Sequence, residues 1–216
     1  MAGIFYAQNK GESSTVLYIR SFTYTAEDVD CKLCTEYEKK KGCRHEVCPY
    51  IAERIEAGVV TYQIAVTGMI PSTSSICKRL PKLFREYPGS LWADASHKTR
   101  MVSFNNRLGY NKRRNTPSYY AAMYLLTSSD SLLRRTSECF YHSGIEFAYA
   151  VLRGINTHNY ALFYAAKGLR TSRGVTVSEL ADPEVIDDEA FRLIINALLI
   201  AKYGTAVFKL KGEESK

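Results

Sequence analysis

A chain of 216 residues, 46% hydrophobic and 24% charged, can bury a proper core, so a compact soluble protein with one main domain and a small appendage is expected. The first ten residues carry no long apolar stretch, and the longest apolar run near the C-terminus, 197–201, is far too short to cross a bilayer. A membrane role is therefore not expected and a reducing cytoplasm is, while the whole chain carries a formal net charge of +7.

In chain order, 3–7 and 16–24 are rich in β-branched and aromatic residues around a GESS turn, which predicts a β-hairpin. The run CKLCTEYEKKKGCRHEVCP follows, with Cys31, Cys34, Cys43 and Cys48 spaced as C-x2-C and C-x4-C. Each short pair can place two sulfurs on one ion while the loop ending at Gly42 turns the chain back, so structural Zn2+ held by four thiolates is the expected cofactor. His45 lies inside the second pair, and a Cys3His set using it in place of one thiol has the same chemistry. A disulfide framework fits less well, because no secretory signal precedes the cysteines and Cys77 and Cys139 stand far apart. With all four ligands supplied by protein the metal has no open position, and Lys32, Lys39, Lys40, Lys41 and Arg44 would offset its thiolate charge.

After Pro49, apolar residues at Ile51, Ala52 and Ile55 with a stop at Gly58 predict a short helix, and VVTYQIAVTGM a second short helix or strand. Residues 69–117 mix turn formers with a basic stretch and no sustained period, which reads as a connector or exposed arm. From Pro117 onward apolar residues recur three and four apart in 119–126, 131–141, 145–153, 158–169 and 190–203, enough for a helical bundle. Asp130, Thr157 and Asp187 or Asp188 are the expected N-caps, and Gly154, Gly168 and Gly204 the expected left-handed stops. The closing TAVFKLK alternates as a strand and would pair with the N-terminal hairpin. The expected fold is thus α+β, mostly α: a hairpin and zinc module in 1–68, a basic arm in 69–117 and a helical domain with a C-terminal strand in 118–216.

Charge concentrates in the arm. Ten basic residues lie between Lys78 and Arg114 against only Glu86 and Asp94, a formal +8 next to Trp92, Phe104, Tyr110, Tyr119 and Tyr120. Phosphate contact with occasional base stacking requires such a mixture, so nucleic acid is an expected partner and Arg100, Arg107, Lys112, Arg113 and Arg114 its expected contacts. Catalytic constellations are weak: His142 and Glu146 flank a turn at Gly144, ADPEVIDDEA suits helix capping better than Mg2+ ligation, and GLRTSRG lacks the lysine of a phosphate-binding loop. The chain therefore leans away from an enzyme. Sixteen tyrosines supply core rings with polar tips, and an exposed subset would mark a protein interface.

The segments DVDCKLCTEYEKKKGCRHEVCPYIAERIEAG, YYAAMYLLTSSDSLLRR, ALFYAAKGL and DDEAFRLIINALLIAKYG together resemble zinc-knuckle proteins carried on plasmids and integrative elements of gut bacteria. The resemblance implies an accessory role in a mobile element, in transfer, regulation or resistance to host defence, and transfers no functional residue. Two readings follow: a zinc-stabilised nucleic-acid binder using its basic segment, or a protein-interaction module acting on a host defence complex.

Overall fold

The computed structural model describes residues 23–34, 48–171 and 173–210. Nine α-helices occur among them: α1 (Ile51–Glu56), α2 (Tyr62–Thr67), α3 (Leu80–Arg85), α4 (His97–Leu108), α5 (Pro117–Leu126), α6 (Asp130–Thr136), α7 (Thr157–Arg170), α8 (Val177–Ala181) and α9 (Asp188–Tyr203). Among the described residues an isolated antiparallel bridge joins Phe140 to Ile145, and Thr61 also takes a bridge position. The mostly helical class is as expected; the predicted hairpin falls almost wholly outside the described residues.

Helix α5 is apolar on every side, and Tyr119 and the run 121–126 are all buried, which is the pattern of a central helix. It packs along both α7 and α9, and these two also touch each other. The stretch Asp188–Lys209 has the length and apolar character of a membrane span, and nine residues of α9 are buried in this three-helix centre. Helix starts follow local chemistry: Thr61, Thr116, Ser129, Asn156 and Asp187 each accept a backbone N–H of the first turn, and Thr176 with Glu179 forms a reciprocal capping box on α8. Two expected caps move by one residue, from Asp130 to Ser129 and from Thr157 to Asn156, because the cap must lie just outside the helical turn. Gly204 ends α9 with φ 75°, as expected, whereas Gly168 lies inside α7 and Gly154 follows no helix.

Three expectations are corrected. Residues 69–117 are not an exposed arm: α3 and α4 bury Leu80, Leu83, His97, Met101 and Phe104, and Leu91 between them is buried too. The weak periodicity has a cause, since cations rather than extra apolar residues fasten this segment. Buried Arg79 donates to the Leu180 carbonyl (3.0 Å) and to Asp188 (2.8 Å) while its guanidinium lies 4.2 Å over the Phe191 ring. Residues 145–153 do not form a helix beyond a single 3-10 turn at Phe147–Tyr149. Their backbone is engaged elsewhere: Val151 N–H donates to the Arg135 carbonyl (2.9 Å), and the Arg135 guanidinium donates to the carbonyls of Val151 (3.1 Å) and Arg153 (2.6 Å). Finally, TAVFKLK is not a strand. Gly204–Lys209 is a 3-10 helix whose Val207 is buried; Leu210, just after it, is buried too and donates to the Val207 carbonyl, and Phe208 stacks on Trp92 at 4.5 Å.

Candidate nucleic-acid interface and cysteine cluster

Of the five cations expected at phosphate, the structure turns two inward. Arg114 is 1% exposed. Its guanidinium donates to the carbonyls of Gly109 and Leu108 (3.4 Å) and to Asn115 Oδ1 (3.1 Å), and it lies 5.2 Å from the Tyr119 ring centre. These are the free carbonyls at the end of α4, so Arg114 is a C-terminal cap supplied by the following loop. Arg100 plays the same part for α5: its Nε donates to the Thr127 carbonyl (2.9 Å), its Nη2 to that of Ser128 (2.5 Å), and Asp94 accepts a further bond at 2.7 Å. Neither guanidinium is free for a phosphate.

Arg107, Lys112 and Arg113 are exposed and form no ion pair with the described residues. Arg107 rests 4.5 Å over the Phe104 ring, which fixes its stem at the end of α4. The chain then leaves the helix through Gly109 at φ 66°, a backbone that a side chain would strain, and presents Tyr110 with 76% of its surface in solvent. Asn111 sets the turn that follows. Its Oδ1 accepts the N–H groups of Arg113 (3.0 Å) and Arg114 (3.3 Å), and its Nδ2 stands 3.0 Å from His142 Nε2 in the 141–144 turn.

A fourth cation reaches this end from a distant part of the sequence. Exposed Arg170 closes α7 and donates to Thr116 Oγ1, the cap of α5, at 3.4 Å. Sequence reasoning misses it, because GLRTSRG reads there only as a failed phosphate-binding loop; what places it is the packing of α7 along α5.

Cys31 and Cys48 lie around the entry to α1. Cys31 opens a 3-10 turn capped by Asp30, whose carboxylate accepts Lys32 N–H at 2.9 Å, and Cys34 N–H returns to the Cys31 carbonyl at 3.2 Å. Cys48 accepts Ile51 N–H on its carbonyl at 3.3 Å as α1 begins. Cys31, Cys34 and Cys48 are half-buried free thiols, and the Cys31 sulfur accepts a hydrogen bond from the Arg54 guanidinium of α1. Cys43 and His45 lie outside the described residues. Among the described residues no three His, Cys, Asp or Glu side chains gather as a metal site. The three described thiols therefore do not by themselves form a tetrahedral metal site. Cys77 and Cys139 take no part: the first faces the Pro71 carbonyl (3.3 Å), and burial pushes the second thiol up to about 11.

The acidic stretch is divided among structural partners. Asp187 caps α9 through Ala190 N–H (2.8 Å) and meets His158 Nδ1 at 2.9 Å, while Asp188 binds Arg79 and Lys82, whose cations hold its carboxyl below the usual range. The adjoining cavity of about 270 Å³ is lined by Arg79, Lys82 and Arg192 against Glu86, Asp188 and Glu189, a balance that favours no anion. The chain matches no family model, no curated protein and no solved structure.

Proposed function

We propose that this protein binds nucleic acid through the end of the helical bundle where α4 stops, α5 starts and α7 stops, and that Cys31, Cys34, Cys43 and Cys48 hold a structural zinc ion beside the core. One observation carries the first part: Arg107, Lys112 and Arg113 stand exposed and free of carboxylates around Tyr110, the most exposed large apolar or aromatic side chain among the described residues. Cations on a strand-sized surface release counterions from a phosphate backbone, and a free tyrosine ring offers a stacking face to any base. The phosphate-facing cations are therefore Arg107, Lys112, Arg113 and Arg170, with Arg100 and Arg114 holding the scaffold.

The test is oligonucleotide binding, single-stranded and duplex, across a salt series. The affinity should fall steeply with salt, and the triple change Arg107→Ala, Lys112→Ala, Arg113→Ala should flatten the log–log slope by about two to three, near 0.7–0.9 for each phosphate charge no longer neutralised. A salt-independent affinity, or a triple variant with the parental slope, overturns the reading.

A second reading rests on a different face. Tyr160 and Tyr164 of α7 stack at 6.0 Å and 8° beside an open apolar cavity of about 270 Å³ that Ile155, Val175 and Val185 also line. A protein partner, a host defence complex among them, would use such a surface. Its binding should resist salt and be lost in Tyr160→Ala, the opposite of the response at the basic end.

A further inference from the structure

The basic end of the bundle carries more open ring surface than Tyr110 alone. Asn111, next to Tyr110, holds its side-chain amide 3.0 Å from His142 Nε2 and 3.5 Å from the His142 carbonyl, so the turn after α4 lies against the 141–144 turn. Tyr141 opens that second turn, 42% exposed, and its ring stands 5.5 Å from that of Tyr149, which is 57% exposed. Arg170 borders the same turn: its Nη2 lies 3.7 Å from where a Cβ on Gly144 would stand, while its Nη1 reaches Thr116. Cations and open tyrosine rings thus share one patch drawn from distant parts of the chain. Both turns are pinned. On either side of Tyr110, Arg114 holds the Gly109 carbonyl and Asn115 accepts the Asn111 N–H at 3.1 Å. In the other turn Tyr141 and Gly144 exchange backbone hydrogen bonds at 2.8 and 3.3 Å, beside the bridge from Phe140 to Ile145. A ring on a fixed backbone loses little freedom when a planar partner covers it. Glu138 is near enough to act on the Tyr141 phenol, so phosphate is disfavoured at the Tyr141–Tyr149 pair and is left to the cations.

We propose that this end selects single-stranded nucleic acid: Tyr110, Tyr141 and Tyr149 stack on unpaired bases while Arg107, Lys112, Arg113 and Arg170 take the phosphates. The inference rests on the nucleic-acid reading above and adds to it the substrate class and two base-contacting residues. In a duplex the base faces are covered by their neighbours, and this surface meets phosphate alone. In a single strand each face is open, and one base on one tyrosine raises affinity by about 5–150-fold. A patch acting by charge alone would prefer the duplex, whose phosphates are denser along its axis. Ring stacking reverses that order.

The experiment uses the full chain and three probes of equal length: oligothymidylate, a duplex, and an abasic strand that keeps its phosphates. Oligothymidylate should bind at least about fivefold more tightly than either of the others. Tyr110→Ala, and the pair Tyr141→Ala with Tyr149→Ala, should each weaken oligothymidylate binding about fivefold or more, leaving duplex and abasic affinities and the salt slope as in the parent. Tyr110→Trp should keep the affinity, and Tyr110→Leu, apolar but without a π face, should lose it. Thermal melts show whether each variant is folded, and the abasic comparison needs no variant. If the parent binds the duplex or the abasic strand as tightly as oligothymidylate, with a steep salt dependence, the stacking role is overturned while the basic interface stands. If no probe binds in a salt-dependent way, the nucleic-acid reading fails and this inference with it.

Discussion

The ring of His97 is locked between two backbone groups, its Nδ1 accepting the N–H of Ala93 at 3.0 Å and its Nε2 donating to the carbonyl of Tyr124 at 2.8 Å. Wholly buried and packed edge-on against Trp92, it serves with Arg100 to satisfy the last carbonyls of α5 from the side of α4. That arrangement requires the neutral imidazole. Burial lowers its pKa to about 4 against an ordinary 6.5, with the nearby Arg100 and Arg192 acting in the same direction and the Tyr124 hydrogen bond and Asp94 opposing.

The first prediction follows from the sign of that shift. Between about pH 6.5 and 4 the unfolded chain binds a proton at His97 that the folded chain does not, so stability falls as pH drops through this window, by on the order of 3 kcal/mol in full. Urea unfolding at a series of pH values should show the slope, and His97→Gln should reduce it. A His97→Gln protein with the same pH dependence as its parent would show that other groups carry the effect.

Arg114 and its neighbours Lys112 and Arg113 should behave as opposites. Arg114→Ala leaves the Gly109 and Leu108 carbonyls without their donor and should cost about 2–3 kcal/mol of stability. Lys112→Ala and Arg113→Ala, being exposed, should change stability by no more than about 0.5 kcal/mol while reducing oligonucleotide affinity at low salt. Thermal melts read beside binding titrations separate the two classes, and a stable Arg114→Ala protein would contradict its capping role.

Asn196 is the hub of the central polar network. It accepts the Tyr62 hydroxyl at 2.8 Å and donates to the Leu91 carbonyl (3.1 Å) and the Tyr124 hydroxyl (3.2 Å), all four residues being buried. Asn196→Leu, close in volume, should cost about 2–4 kcal/mol by stranding the Tyr62 hydroxyl and taking two donors from the Tyr124–Leu91 pair, which keeps its own hydrogen bond, and Tyr62→Phe about 1–2 kcal/mol. Denaturant midpoints measure both. Equal midpoints for the parent and Asn196→Leu would show that the network contributes nothing net.

Gly168 and Gly174 permit a close backbone approach. A Cβ on Gly168 would stand 2.7 Å from the Gly174 Cα, so Gly168→Ala must push Gly174 off α7 and should destabilise by about 1–3 kcal/mol. By contrast Gly89→Ala meets no neighbour and should suffer only the strain of its positive φ. If Gly168→Ala proves the milder of the two in thermal melts, the close approach is not what selects glycine here.

Local pattern alone specifies the helices whose apolar residues recur at helical spacing and whose ends carry their own signals. Those of 117–126, 157–170 and 188–203 are legible because their apolar residues recur three and four apart within one segment and, for the last, because Asp187 is the expected cap. The cysteine spacing and the density of positive charge are equally plain in the linear chain. Where each cation goes is settled by packing. Arg79, Arg100 and Arg114 look in sequence like Arg107 and Arg113, yet their guanidinium groups meet carbonyls and carboxylates from residues 94 to 188. A buried cation is fixed by acceptors that the folded chain brings to it, and no local pattern encodes those acceptors. For the same reason α4 reads as an arm, Ile145–Arg153 as a helix and Arg170 as irrelevant to the basic end, where the fold brings it beside Thr116.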